Sequence, residues 1–356
     1  MITIVLGTRP EIIKMSPIIR ECQRRNIDFQ ILHTGQHYSY EMDRTFFEQL
    51  ELPEADFNLD VGSGEHGEQT AKILTGVEKV LMQEKPDIVL VQGDTNTVMA
   101  GALAASKLHI NVGHVEAGLR SFDRTMPEEI NRIVADHISD YLFAPTKISK
   151  EYLLKEGIPP EKIHVVGNTI VDSVFQNLEI SKKKVDPLRD LEIREKEFFL
   201  VTSHRAENVD VKERFQGMIK GLQMIREEFG LPVIYPIHPR SKKCLEKFGM
   251  DTDGVDIINP VGFLEFLQLE EAAKVVLTDS GGVQEETCIL GTPCVTLRDN
   301  TERPETIDCG SNVLAGIDPK TILGKTRSMI ENDDRWNNPF GKGDSALKII
   351  DIIERN

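Results

Sequence analysis

Short, nearly unbroken runs of aliphatic and β-branched residues recur along this chain, separated by stretches with the apolar period of amphipathic helices. In the first half the runs fall at 2–6, 29–33, 87–92, 111–115, 141–144 and 162–166, with helical patterns at 10–24, 65–83 and 127–137 among them. A second series occupies 198–203, 233–237, 255–258, 275–278 and 294–297. Strands apolar on both faces belong to parallel sheets covered by helices on each side. Two such series predict an α/β fold of two doubly wound, Rossmann-like domains with an interdomain cleft, and 356 residues suit two domains. The expected division is 1–168 plus a C-terminal helix 345–356 for the first domain, and 169–344 for the second. A helix is expected to begin at 168 and to lead into Ser181-Lys182-Lys183-Lys184, read as a solvated linker. After a polar, Gly- and Pro-bearing loop, the helical pattern at 345–355 is expected to return to the first domain.

Charge narrows the possible partners. Lys and Arg number 42 against 58 Asp and Glu, a net charge of −16, which leaves no broad basic face for nucleic acid. A few arginines at a helix N-terminus can still reverse the field locally and hold a diphosphate. No apolar run approaches the ~18 residues of a membrane span. The N-terminus lacks the basic segment of a signal peptide and reads as a first strand. The five cysteines, Cys22, Cys244, Cys288, Cys294 and Cys309, are scattered with no C-x-x-C pair. Reduced thiols and a cytoplasmic location are expected, with neither a disulfide framework nor a metal site.

Ligands of doubly wound sheets bind beyond the carboxyl ends of the strands, so the loops there are the places to search. The first is Gly7-Thr8-Arg9-Pro10-Glu11, where Arg9 can meet an anion and Lys14 lies one turn on. No G-x-G-x-x-G follows this strand, which argues against a nicotinamide or flavin dinucleotide. The loop Gly93-Asp94-Thr95 alone would read as a helix cap. The next strand end, His114-Val115-Glu116-Ala117-Gly118-Leu119-Arg120, adds Glu116, and Pro127-Glu128-Glu129-Ile130-Asn131-Arg132 adds Glu128 and Arg132. Asp94, Glu116 and Glu128 on one rim exceed what capping requires. Such carboxylates are expected to raise one another's pKa and so to serve as acid and base. In the second half His204 ends a strand beside Arg205 and Glu207, and His238 has a weaker claim. Asp279-Ser280-Gly281-Gly282 opens a helix as an anion nest. Glu286 lies one turn in, placed to accept ribose hydroxyls, and Arg303 can supply a charged fork. These residues imply an enzyme for a nucleotide-linked substrate, with the nucleotide on the second domain.

In this order the motifs resemble those of the non-hydrolysing UDP-N-acetylglucosamine 2-epimerases. The likeness runs from Gly7 to about Gly316 and includes Thr34-Gly35-Gln36-His37, Gly167-Asn168-Thr169 and Glu302-Arg303-Pro304-Glu305. It implies a GT-B-like architecture and the reversible conversion of UDP-GlcNAc to UDP-ManNAc by a homodimer, without metal or other cofactor, for glycan precursor synthesis. The implied route removes the C2 proton as UDP leaves C1, giving 2-acetamidoglucal, and then adds UDP back. Matched position by position, Asp94, Glu116, Glu128 and His204 fall on catalytic residues. Arg9, Lys14 and Arg132 fall around the diphosphate and sugar, and Ser280, Gly281, Gly282, Glu286 and Arg303 in the UDP pocket.

Two departures concern regulation. Bacterial relatives typically follow Gln36-His37 with Arg-Glu, where this chain has Tyr38-Ser39, and they often carry a second Arg where it has Ala206. In those relatives these regions hold an activating second UDP-GlcNAc. The departures weigh against activation here, leaving Gln36, His37 and His238 as the positions to support it. The rival functions are a hydrolysing relative that releases UDP and ManNAc, a 2-epimerase for a UDP-diacetamido sugar, a GT-B glycosyltransferase and a nucleotide-sugar sensor.

Overall fold

The first strand of each series lies in the middle of its sheet. The computed structural model describes residues 1–36, 40–331 and 336–355. The chain forms two compact units, Met1–Gln176 with Phe340–Asn356, and Asn177–Pro339. In the first unit, β1 (Ile2–Leu6), β2 (Phe29–His33), β3 (Phe57–Asn58), β4 (Ile88–Gln92), β5 (Asn111–Val115), β6 (Tyr141–Ala144) and β7 (Ile163–Val165) make one sheet. Its order is β3-β2-β1-β4-β5-β6-β7, and every neighbouring pair is parallel. In the second unit, β8 (Phe199–Thr202), β9 (Val233–Pro236), β10 (Asp256–Ile258), β11 (Val275–Thr278), β12 (Cys294–Thr296) and β13 (Asn312–Leu314) follow the order β10-β9-β8-β11-β12-β13, again all parallel. Both are doubly wound, Rossmann-like sheets.

Burial on both faces explains the unbroken apolar runs. All five residues of β1 are buried, with Ile2 opposite Ile88 and Ile4 opposite Leu90. The helix Asn96–Lys107 lies against β1 and β4 through small residues. A Cβ on its Gly101 would come within 3.2 Å of Val5 and 3.3 Å of Val91, so the helix approaches the sheet closely here and a side chain would require both valines to give way. In the second unit one face of the sheet packs Phe199, Val201 and Leu277 with the helical Phe215, Met218 and Leu222, while Phe198, Leu200 and Val276 meet Leu269 on the other.

The unit boundary falls inside the helix Thr169–Lys184, and the lysine run is the last turn of that helix, not a linker. Three cations suit a helix C-terminus. Ser181 is buried and donates to the Leu264 carbonyl at 2.6 Å. At the other end of this helix Asp172 accepts from the backbone N–H groups of Ser345 (3.3 Å) and Ala346 (3.0 Å), which fixes the start of the terminal helix Ser345–Arg355. Arg25 then pairs with Asp351 and Glu354 of that helix, both at 2.7 Å. No helix among the described residues is long and apolar enough to cross a membrane.

Candidate active site

In each sheet the chain order reverses beside the central strand, between β1 and β4 and between β8 and β11. Such switch points open a crevice at the carboxyl ends of the strands. In the first unit the loops after β1, β4 and β5 are therefore neighbours. Gly7 follows β1 because a Cβ there would lie 2.0 Å from Thr34 Oγ1. Thr8 and Glu11 form a capping box for the helix Arg9–Arg25. Glu11 accepts from the N–H groups of Gly7 (2.6 Å) and Thr8 (2.9 Å) and from Thr95 Oγ1, tying the first loop to the one that carries Asp94. Arg9 lies 3.5 Å from Asp43 and over the Phe46 ring.

Burial raises the Glu11 carboxyl from 4.5 to about 7, against the pull of Thr95 and the two backbone donors. Its proton is thus held more tightly in the folded chain than in the unfolded one. The stability it contributes is complete below 4.5 and is lost as the pH rises through about 7. The difference is on the order of 3 kcal/mol at ~1.4 kcal/mol per pKa unit. Glu11→Gln is expected to flatten the fall in urea-unfolding free energy between about pH 5 and about pH 8. An unchanged slope would contradict this.

Asp94 and Glu116 end adjacent strands, and each carries its own cation. Glu116 accepts from Lys14 Nζ through both carboxylate oxygens, at 2.7 and 2.8 Å, and from the Gln92 amide. Its backbone is left-handed, φ 70°, which costs a non-glycine residue on the order of 1–3 kcal/mol and marks a site held by its surroundings. Asp94 pairs with Arg132, whose other nitrogen reaches Glu129 at 2.9 Å. Glu129, not its neighbour Glu128, is the buried carboxylate of this turn. Burial pushes Glu129 up, but the donors of Ser121 and Phe122, with Arg132, outweigh it and hold the group below its ordinary value. Glu128 is exposed in the first turn of the helix Pro127–Ile138. Asp94 and Glu116 thus each have a cation in direct contact, which the expectation of mutually acting carboxylates did not include. The sequence pattern contains the cations but not their pairing.

In the second unit Asp279, at the end of β11, organises the loop after β8. It accepts from Ser203 Oγ (2.6 Å), the N–H groups of His204 (3.2 Å) and Arg205 (3.1 Å), and the Asn208 amide (3.2 Å). The half-exposed His204 ring has its Nδ1 3.7 Å from Asp279. The His238 ring lies 5.6 Å from it, centre to centre. His238 Nδ1 accepts from the Arg240 N–H, so its proton sits on Nε2. Burial, then the charges of His204 and Arg240, hold His238 below its usual range. Ser280 occupies the N-cap position of the helix Gly281–Leu290 without a side-chain capping bond, and a Cβ on Gly281 or Gly282 would meet nothing nearer than 3.9 Å among the described residues. Arg303 pairs with Glu285 at 2.8 Å. The buried Arg298 grips both oxygens of Glu302, at 2.8 and 3.0 Å, and this pairing takes Glu302 down to about 2. Glu286, one turn into the nest helix, is half-buried.

Comparison with known proteins places this geometry. The family model described as UDP-N-acetylglucosamine 2-epimerase matches residues 20–354. The chain belongs to that family. The UDP-N-acetylglucosamine 2-epimerase of Methanocaldococcus jannaschii is 56% identical over 359 residues, covering 99% of this chain and 98% of that protein. A crystal structure of the M. jannaschii enzyme in complex with UDP-GlcNAc and UDP superposes with a TM-score of 0.87, covering 100% of this chain and 99% of that one. A more distant relative, the UDP-2,3-diacetamido-2,3-dideoxy-D-glucuronate 2-epimerase of Pseudomonas aeruginosa, is 41% identical, covering 99% of this chain and 98% of that protein. The fold class is the GT-B-like one of this family.

The regulatory positions divide. Gln36 is buried, its side-chain oxygen accepting from the N–H (3.1 Å) and hydroxyl (2.7 Å) of Thr97, which fixes the start of the helix behind Asp94. His37 lies outside the described residues. His238 stands beside His204. Residues that sequence reading left without a role are Gln92, Glu129, Asp279, Arg298 and Glu302. Glu129, Asp279 and Glu302 stand inside the strand-end motifs, so proximity was the available signal. Among the described residues no group of three or more His, Cys, Asp or Glu is disposed to hold a metal ion.

Proposed function

We propose that this chain interconverts UDP-GlcNAc and UDP-ManNAc, eliminating UDP to 2-acetamidoglucal and adding it back, as a cytoplasmic homodimer supplying glycan precursors. The observation that carries the reading is the pair of strand-end carboxylates, Asp94 and Glu116, each with its own cation, at the switch point of the first sheet. In the forward direction a base takes the C2 proton, the C1–O bond breaks with its electron pair leaving on UDP, and C1=C2 forms. In return a UDP oxygen attacks C1 while C2 receives a proton on its opposite face. Two faces require two proton-handling groups, drawn from Asp94, Glu116, Glu128 and His204. The leaving diphosphate requires positive charge, for which Arg9, Lys14 and Arg132 are the nearest supply in the first unit. UDP is assigned to the second unit, with its diphosphate on the nest at Ser280-Gly281-Gly282, its ribose on Glu286, and Arg303 alongside. Gln36, His37 and His238 are the positions at which a second nucleotide sugar would act.

The nest makes its own prediction. Among the described residues nothing crowds Gly281 or Gly282, so their lack of a side chain serves an approaching ligand. Gly282→Ala is expected to keep the thermal midpoint or raise it slightly, since Ala is the better helix former by ~1 kcal/mol. UDP affinity, by calorimetry, is expected to fall about tenfold or more, the ~1.4 kcal/mol of a lost close approach. Unchanged affinity would remove the diphosphate from this nest.

The test of the reaction is proton NMR of the protein with UDP-GlcNAc in D₂O. UDP-ManNAc carrying deuterium at C2, with little free UDP, is the expected result. UDP released together with free ManNAc would show the hydrolysing reaction instead. The 41% identity to the diacetamido-glucuronate 2-epimerase favours one second reading, a modified UDP sugar. Turnover of that sugar and not of UDP-GlcNAc would establish it.

A further inference from the structure

His114 is wholly buried on β5, two residues before Glu116, and both of its ring nitrogens face oxygen. Nε2 lies 2.8 Å from the carbonyl of Gly93, and Nδ1 lies 2.7 Å from Asp136 Oδ1. A carbonyl can only accept, so Nε2 carries a hydrogen. Asp136 takes Arg120 Nη1 at 2.7 Å and the Gly118 N–H at 3.2 Å on its other oxygen, which is the setting of an ionised carboxylate. It too can only accept, so Nδ1 also carries a hydrogen. A ring with hydrogens on both nitrogens is an imidazolium. Burial alone would lower its pKa, but Asp136 and the Gly93 carbonyl reverse the direction and raise it. Burial likewise pushes Asp136 up, while His114 and Arg120 bring it below the ordinary carboxylate range.

The Gly93 carbonyl belongs to the peptide that leads into Asp94. The same turn is held by the Gly93 N–H on the Val115 carbonyl (3.1 Å) and by the Asn131 amide on the Asp94 carbonyl (3.0 Å). Gly93 itself is left-handed, φ 87°, a conformation glycine adopts without steric cost. Other charged groups surround His114 from several elements. Asp136 comes from the helix Pro127–Ile138, Arg120 from the loop after β5 with Glu156 on its far side, and Glu116 from the turn just past β5, where Lys14 of the helix Arg9–Arg25 pairs with it; Arg132 of the helix Pro127–Ile138 is held on Asp94.

We propose that His114 is a positioning residue of the epimerisation: clamped by Asp136, it pins the Gly93–Asp94 peptide and sets a fixed positive charge behind Glu116. The inference rests on the assignment of Asp94 and Glu116 to proton transfer. Its function is to keep Asp94 in register with a sugar carbon that must be deprotonated and reprotonated on opposite faces. A displacement on the order of 1 Å at such a site costs about 10²-fold in rate.

His114→Gln offers fewer donors and no charge. It is expected to lower kcat about 10²-fold while KM for UDP-GlcNAc stays within about threefold, because ground-state binding is not what the residue serves. The acid limb of the kcat/KM profile is expected to move to higher pH, since the nearby carboxylates lose a favourable charge. Asp136→Asn keeps the side-chain shape but removes the charge that keeps the imidazolium, and is expected to move the limb in the same direction. In wild-type enzyme labelled with ¹⁵N-histidine, one ring that disappears in His114→Gln is expected to keep two N–H groups at a pH where a free imidazole carries one. A wild-type pH profile and kcat in correctly folded His114→Gln would overturn the proposal, as would a singly protonated ring in the wild type. Asp94→Asn run alongside separates the failures. If it retains full activity, the assignment of Asp94 has failed. If it is inactive while His114→Gln is not impaired, the positioning role alone has failed.

Discussion

Asp94→Asn is expected to lower kcat for UDP-GlcNAc by about 10²- to 10⁴-fold, the range that a positioned acid or base contributes. The fold should hardly notice. The Asp94 side chain is one-third exposed, and an Asn oxygen can accept from Arg132 as the carboxylate does. The backbone bonds that shape the turn, from Gly93 N–H to the Val115 carbonyl and from the Asn131 amide to the Asp94 carbonyl, do not involve the side chain. What the variant loses is the capacity to take up and release a proton. Thermal midpoint, UDP affinity and C2 deuterium incorporation together separate the outcomes. Normal folding and UDP binding with exchange reduced in step with turnover would place Asp94 at the C2 proton. Exchange at the wild-type rate would remove it from that step. Wild-type turnover would remove it from the reaction.

The fold was legible wherever apolar runs were long enough to cross a buried sheet. The strand β1 is a run of five buried residues, and so is β4. Two edge strands escaped that signal, β3 with two residues and β13 with three, whereas the outer strands β7 and β10, three residues each, lie within the runs at 162–166 and 255–258. The lysine run misled for a related reason. Three consecutive cations look like solvent-exposed linker, yet the last turn of a helix is where cations are favoured, and the buried Ser181 beside them is too weak a cue in sequence.

The site was legible as a set of loops and not as a set of contacts. Gly7 and Gly93 each follow an apolar run of the first sheet, and topology alone makes those two loops neighbours; Ser280 likewise follows an apolar run of the second sheet. Lys14 and Glu116, by contrast, are 102 residues apart, and Arg132 and Asp94 are 38 apart. Their meeting depends on β4 lying between β1 and β5, an order that hydrophobic period does not encode. Asp279 shows the same limit. Its motif reads as the approach to an anion nest, while its side chain faces back to clamp the His204 loop. Glu128 and Glu129 look alike in the sequence, and only the helix set against its neighbours shows that Glu129 is buried and Glu128 exposed.

Lys14→Met separates stability from catalysis. The Glu116 side chain is 4% exposed, and Lys14 approaches both of its oxygens. Removing the cation leaves a buried carboxylate supported by the Gln92 amide in a backbone conformation that is already costly. Breaking a buried pair in this way costs about 3 kcal/mol or somewhat more, because the surviving charge loses the counter-ion in contact with both its oxygens. Activity should collapse as well, since Glu116 loses its position and the diphosphate a nearby cation. Lys14→Met combined with Glu116→Gln replaces the pair by uncharged groups of similar size. Most of the stability should return, because the desolvation penalty disappears along with the attraction. Activity should not return, because an amide cannot carry the proton. Urea unfolding and turnover of both variants give two independent readings. A double variant as unstable as the single one would mean that Lys14 supports the fold through its aliphatic stem and not through the ion pair. A double variant that turns over UDP-GlcNAc at the wild-type rate would take Glu116 out of the chemistry and leave proton transfer to Asp94, Glu128 and His204.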